Sequence, residues 1–371
     1  MSPEAVRTRR DLEEYVGQAL LDEYYFREEG EIVRQVSTFL KTYLLEIHPR
    51  QLDPVEVIAG SGVGELRETA EQSLWHLVDS KGESYFFDFL EPRYPLLHTI
   101  APTGSSDPLV ARLANSAQVD YCWFPSDWLR HSLEGQVFGF RLFFQHGLQG
   151  LEESSEAEAL RKELGRDAPP AFRLRLSDFI GAESDLESLT TSTQFGSQAA
   201  LDSLAWRFWD ESGLFIHDEV WHNGKVTAYG TSWDKHLDSM LSLQLSYGNL
   251  VRQIEEETSL TTRSGRLSGS PFSVRLASSP IVDVEAFAMS IVDPRSPVRL
   301  SGLADQLNEG AWYVEAVDLH TNDRVSLDIS ADSIRAYIRD GACGNVLPRL
   351  LVHIERHVGA RTHSPINVDY Q

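Results

Sequence analysis

The chain reads as an α+β protein of more than one domain, with antiparallel hairpins packed against amphipathic helices. Three observations predict this. Asn223-Gly224 lies between two β-type runs, the signature of a two-residue hairpin turn. Apolar residues recur at helical spacing on both sides of that hairpin and again near the C-terminus. Strand-length apolar or alternating runs, 137–145 and 172–176 among them, are bounded by turn signals.

The 371 residues suit two or three domains, and 42% apolar against 24% charged residues excludes wholesale disorder. Lys and Arg total 33 against 56 acids, a net charge of −23. Such a surface repels phosphate backbones, which disfavours nucleic acid as the main partner and favours a basic protein. Cys122 and Cys343 stand far apart, forming neither a disulfide framework nor a metal-type pair, as expected in the reducing cytoplasm. Met1–Arg10 leads into Asp11 with no apolar signal core, and no run of 18 apolar residues occurs. The expectation is a soluble cytoplasmic protein without a membrane partner.

Residues 1–150 form the first expected domain. Leu12, Val16 and Leu20, then Val36, Leu40 and Tyr43, predict two helices over 11–48. Val55–Ala59 reads as a short strand running through Gly60, Gly62 and Gly64 into a helix, a shape that cradles phosphate on backbone N–H groups. Asp79 then falls where an acidic ribose partner would. The spacing is G-x-G-x-G and no Gly-Lys-Ser/Thr follows, so no particular cofactor is indicated. Leu74–Phe89 predicts a hairpin turning at Ser80–Gly82, whose Asp79 and Lys81 suit metal-assisted phosphate chemistry. Asp107-Pro108 predicts a helix start, and Gln118–Phe124 a strand ended by Pro125. Val137–Gln145 is apolar enough to be a strand covered on both faces.

Charge crowds residues 151–170, a linker or exposed helix ending at Pro169-Pro170. The central unit, 171–257, reads as helix–hairpin–helix. Leu201, Leu204, Ala205 and Phe208 predict the first helix; Trp233, Leu237, Met240 and Leu241 predict the second, capped by Thr231 or Ser232. A two-residue turn pairs Trp221 with Val226 and Glu219 with Ala228. With the Phe215/Trp221/Val226 face as core, His217 and Glu219 point inward as an ionisable pair. Residues 258–271, rich in Ser, Thr, Gly and Arg, form a second linker. The C-terminal α+β domain, 272–371, has strands at 272–276 and 281–292 and a hairpin over 312–329. A helix capped by Ser330 and bearing Ile334, Tyr337 and Ile338 follows, then a last helix carrying Val346, Leu347, Leu350, Leu351 and Ile354.

Cys343, just ahead of that last helix, is a candidate nucleophile acidified by helix N–H groups, with His320, His353 or His357 as its base. His353 and His357, four apart, offer a metal pair, and Asp79 a further metal ligand. No Gly-x-Ser-x-Gly, His-Glu-x-x-His or EF-hand pattern is present. Trp123, Trp128, Trp206, Trp209, Trp221 and Trp233 cluster in two stretches, suiting an interface for cationic groups. The leading expectation is an acidic binding protein (accessory subunit, scaffold or inhibitor) recognising a protein partner through Trp-rich and acidic surfaces. The alternative is a metal- or nucleotide-dependent hydrolase or nuclease, using the Gly60–Gly64 loop with Asp79 and Lys81, or the His217/Glu219 pair.

Overall fold

Strand β1 (Leu40–Ile47) is buried along its whole length because both of its edges and both of its faces are covered. The computed structural model describes residues 1–28, 39–49, 51–144, 172–177, 186, 199–209, 211–263, 266–276, 281, 283–358 and 362–363. β1 pairs antiparallel with β5 (Leu96–Thr99) and β11 (Lys225–Gly230), and near its end with β6 (Val119–Tyr121). On the β5 side lie β4 (Ser84–Asp88), β3 (Leu74–Asp79) and β2 (Gly64–Glu68). On the β11 side lie β10 (Phe215–Trp221), β9 (Ala199–Trp209), β7 (Gln136–Phe144) and β8 (Phe172–Ser177).

The second sheet runs β13 (Arg266–Ser268), β12 (Ser259–Arg263), β18 (Ser333–Arg339), β17 (Arg324–Ser330), β16 (Ala311–Asp318), β15 (Leu300–Asn308). Strand β14 (Phe272–Leu276) pairs with β18 and with β19 (Thr362–His363). Only the β12–β18 ladder is parallel among these pairings. Seven α-helices accompany the sheets among the described residues: α1 (Arg9–Glu28), α2 (Pro54–Gly60), α3 (Thr103–Ala114), α4 (Ser126–His131), α5 (Trp233–Thr258), α6 (Val284–Val292) and α7 (Val346–Val358). The class is α+β. Among the described residues no helix is long and apolar enough to cross a membrane.

One large apolar cluster joins Leu204 and Val220 of the first sheet, Met240 and Tyr247 of α5, Ile334 of the second sheet and Leu347 of α7. The segments 171–257 and 272–358 therefore share a core. The opposite face of β1 packs Tyr43 and Leu45 on Leu109 and Val110 of α3. Helix α5 follows its sequence signals: Ser232 Oγ accepts from the Lys235 amide, and Met240, Leu243, Tyr247, Val251 and Ile254 form its buried stripe.

Several expected elements are corrected. Residues 199–209 are strand β9, hydrogen-bonded to β10 and β7 on its two sides, not a helix. Residues 200–204 are buried in succession, so both faces are covered there, and such an apolar run also matches helical spacing. The same ambiguity explains β1, expected as helix. Residues 333–339, expected as a helix capped by Ser330, are strand β18, which alternates buried Ile334, Ala336 and Ile338 with more exposed residues. Conversely, 281–292 holds helix α6, started by Asp283 accepting from the Ala286 amide, rather than a strand. Helix α3 starts at Thr103, ahead of Asp107-Pro108. The stretch 258–271 is occupied largely by β12 and β13, so it does not act as a plain linker. The charged stretch 151–170 lies outside the described residues.

The central hairpin exists, but its register differs by one residue. Val220 pairs with Val226 and Glu219 with Thr227. Gly224 has φ +73°, whereas Asn223 is not in the left-handed region, which a type I′ turn would require. The loop is a three-residue turn closed by the Gly224 amide donating to Trp221 O at 3.1 Å. Since side chains alternate with period two, this single slip exchanges the faces. Ile216, Asp218 and Val220 point inward; Phe215, His217, Glu219 and Trp221 are half-buried on the other side.

Candidate functional site

Two polar side chains, Thr42 and Glu46, share the face of β1 that looks toward α5, and His48 follows on that side past the strand end. At Thr42, the hydroxyl lies 2.7 Å from His236 Nε2 and 2.9 Å from His98 Nδ1, and His236 Nδ1 lies 2.7 Å from Asp218 Oδ1. This chain is wholly interior. Burial, reinforced by His236, lowers the His98 pKa to about 3.

At Glu46 the surroundings are different. Arg93, in the loop between β4 and β5, donates from Nε to Glu46 Oε1 at 2.9 Å. Its Nη1 reaches Glu255 Oε2 of α5 at 3.1 Å, and Nη2 binds Glu255 Oε1. The other oxygen of Glu46 accepts from the Cys343 thiol at 3.2 Å. Cys343 sits in the turn between β18 and α7, held by its amide donating to Asp323 Oδ2 and by the Gly344 amide donating to Glu255 Oε1. Ligating atoms of Glu46, His48 and Cys343 all lie within 4.8 Å of one another. Nδ1 of His48 is buried without a hydrogen-bond partner among the described residues. The imidazole pKa is lowered by burial, against the pull of Glu46.

A cleft of about 600 Å³ opens beside this cluster where the two sheets meet. His48 and Glu255 line it with the exposed acids Glu256 and Asp340, the polar Ser259, Thr261 and Ser268, and Ala342 next to Cys343. Behind it, Arg349 of α7 bridges Asp120 and, at 2.5 Å, Asp318 Oδ1, while Asn345 donates to Tyr121 O at 3.1 Å. His320 is fully buried, with both ring nitrogens lacking a partner among the described residues. These pairs lock the β18–α7 turn to the first sheet.

The residues singled out from sequence disperse. Cys343 belongs to the cluster, but burial, with Glu46 beside it, pushes its thiol well above the usual range, the reverse of the expected acidification. The imidazole brought to it is His48, not His353, which lies in α7 and is buried against Phe287 of α6. The His357 side chain lies outside the described residues. His217 stacks on Phe138, accepts from Arg207, and is lowered to about 4 by burial and that guanidinium. Glu219 pairs with Arg141 at 2.5 Å and accepts from Ser203 at 2.7 Å, so neither residue occupies the interior position expected of them. Gly60 ends helix α2, Gly62 lies in the turn and Gly64 begins β2; the loop meets a helix C-terminus, whose free carbonyls repel phosphate. Asp79 Oδ1 accepts from the Lys81 and Glu83 amides, a turn-closing role. Trp123, Trp128, Trp206 and Trp233 are interior; of the six clustered tryptophans, Trp209 is the exposed one, at 56%. Glu46, His48, Arg93 and Glu255 are absent from the sequence-derived candidates.

A relative from Methanocaldococcus jannaschii, described as uncharacterized protein MJECL33, is 24% identical over 360 residues, spanning 87% of this chain and 85% of that one. No solved structure matches. The model of the family described as MJECL33-like protein matches residues 1–367, and the chain belongs to that family.

Proposed function

We propose that the chain is a binding protein that takes a cationic segment of a protein partner into the cleft where the two sheets meet. The observation that carries this reading is the lining: Glu255, Glu256 and Asp340 contribute carboxylates, and among the described residues no Lys or Arg lines the cleft. Glu255 is engaged by Arg93, which leaves the exposed Glu256 and Asp340 as the acids available to a visitor. The hydroxyls of Ser259, Thr261 and Ser268 add acceptors for ammonium or guanidinium protons. The net charge of −23 steers a basic partner toward the molecule. Tryptophan contributes less than its abundance suggested, because half of it is core.

The test is fluorescence anisotropy with a labelled Lys/Arg-rich peptide and an acidic peptide of equal length. The basic peptide binds, loses affinity as salt rises, and loses about tenfold or more in the Glu256→Lys/Asp340→Lys double variant at unchanged Tm. Affinity indifferent to both salt and the double variant overturns the reading.

A further inference from the structure

We infer that Glu46, His48 and Cys343 form a binding site for a divalent transition metal of the zinc class at the edge of the cleft. A carboxylate oxygen, an imidazole nitrogen and a sulfur are brought together from two parts of the chain almost 300 residues apart, with ligating atoms within 4.8 Å of one another. That mixture of hard, borderline and soft donors suits Zn²⁺ or Co²⁺ and disfavours Mg²⁺ or Ca²⁺, which take oxygen.

Three further features point the same way. His48 is 9% exposed and its Nδ1 has no partner among the described residues, a costly condition that a bound metal would relieve. Arg93 occupies Glu46 Oε1, which leaves Oε2, the oxygen facing Cys343, as a single directed ligand. Charge also balances. Two carboxylates against the Arg93 guanidinium leave one net negative charge, and a divalent ion with one thiolate cancels it. On binding, the Cys343 S–H bond breaks, the sulfur keeps the electron pair and bonds the metal, and the proton leaves to solvent. Three protein ligands beside an open cleft leave a coordination position for water or for a donor atom of a ligand.

This site adjoins the peptide cleft but does not depend on it: metal binding without peptide binding sinks the earlier reading and leaves this one. The experiment is a Co²⁺ titration of the full chain after chelator treatment and removal of the chelator. One ion binds per chain, with a thiolate-to-cobalt charge-transfer band, and Zn²⁺ displaces it. Cys343→Ser abolishes the band and Cys122→Ser keeps it. His48→Ala weakens binding at least about tenfold while the circular dichroism stays native. Should Cys343→Ser fail to fold, the His48→Ala titration decides alone. No thiolate band in the parent protein, a band that follows Cys122, or unchanged affinity in His48→Ala overturns the inference.

Discussion

Strand β1 buries polar groups at two points of one face, and the fold treats them in opposite ways. Around Thr42, the Asp218–His236–Thr42–His98 chain is closed, with no member more than 1% exposed. The order carboxylate–imidazole–hydroxyl is that of a nucleophilic triad, but no substrate atom can approach it. Around Glu46, an equally buried carboxylate meets a cysteine and a rim histidine beside an open cleft. Composition alone would rank the first cluster as the active one. Access reverses the ranking, and the closed chain is best understood as polar cement between β1, β5, β10 and α5.

The largest expected effect tests that assignment. His236→Ala removes the link between Asp218 and Thr42 and leaves a buried carboxylate without its imidazole, a loss of roughly 3–5 kcal/mol. His48→Ala, at the cleft, costs under about 1 kcal/mol. Urea denaturation of both variants measures the difference. Equal losses would mean that the Glu46 end is also structural cement.

Acid should separate the two ends next. Unfolded His98 takes a proton near pH 6.5, whereas the buried ring refuses it until about pH 3. Between those values the unfolded state binds more protons, so stability falls as pH falls, by at most a few kcal/mol. His48 is also lowered and contributes in the same direction, but it is not fully enclosed. Melting curves from pH 7 to pH 4 should show a steep decline that His98→Gln flattens more than His48→Gln does. An identical slope in both variants would place the acid sensitivity elsewhere, for instance at His217.

This contrast also explains what the sequence disclosed. The α+β class, the hairpins expected at 74–89 and 312–329, and helices α5 and α7 were legible because each has a local cause, a turn signal, a cap or a long periodic stripe. Central strands β1 and β9 were not, since two-sided burial erases alternation and leaves runs that also fit helical spacing. The cost fell on the site. Glu46 and His48 read as parts of a helix, and only a strand puts them on one side next to Cys343. Arg93 and Glu255 join through the fold, 162 positions apart, with no local signal at all. Val55–Ala59, expected as a strand, is instead helix α2, capped by Asp53 accepting from the Val55 amide, and the helix expected after Gly64 is strand β2.

The smallest effect comes from the turn that decides which side of β10 is interior. Gly224 adopts φ +73°, and a Cβ there would meet Leu44 O at 2.6 Å and Cys122 O at 2.9 Å. Leu44 lies between Thr42 and Glu46, and its amide donates to Gly224 O at 2.9 Å, so the turn is seated on β1 midway between the two polar ends. Gly224→Ala should therefore cost about 2 kcal/mol, from left-handed backbone and from displacement of two carbonyls. Asn223→Ala, at a position without positive φ, should stay within about 0.5 kcal/mol. A two-residue type I′ turn predicts a different pattern, with both variants destabilised, because both positions then need φ above zero. Thermal unfolding of the two single variants tells these turns apart. In the three-residue turn the glycine alone sets the register, and with it the inward placement of Asp218 against His236.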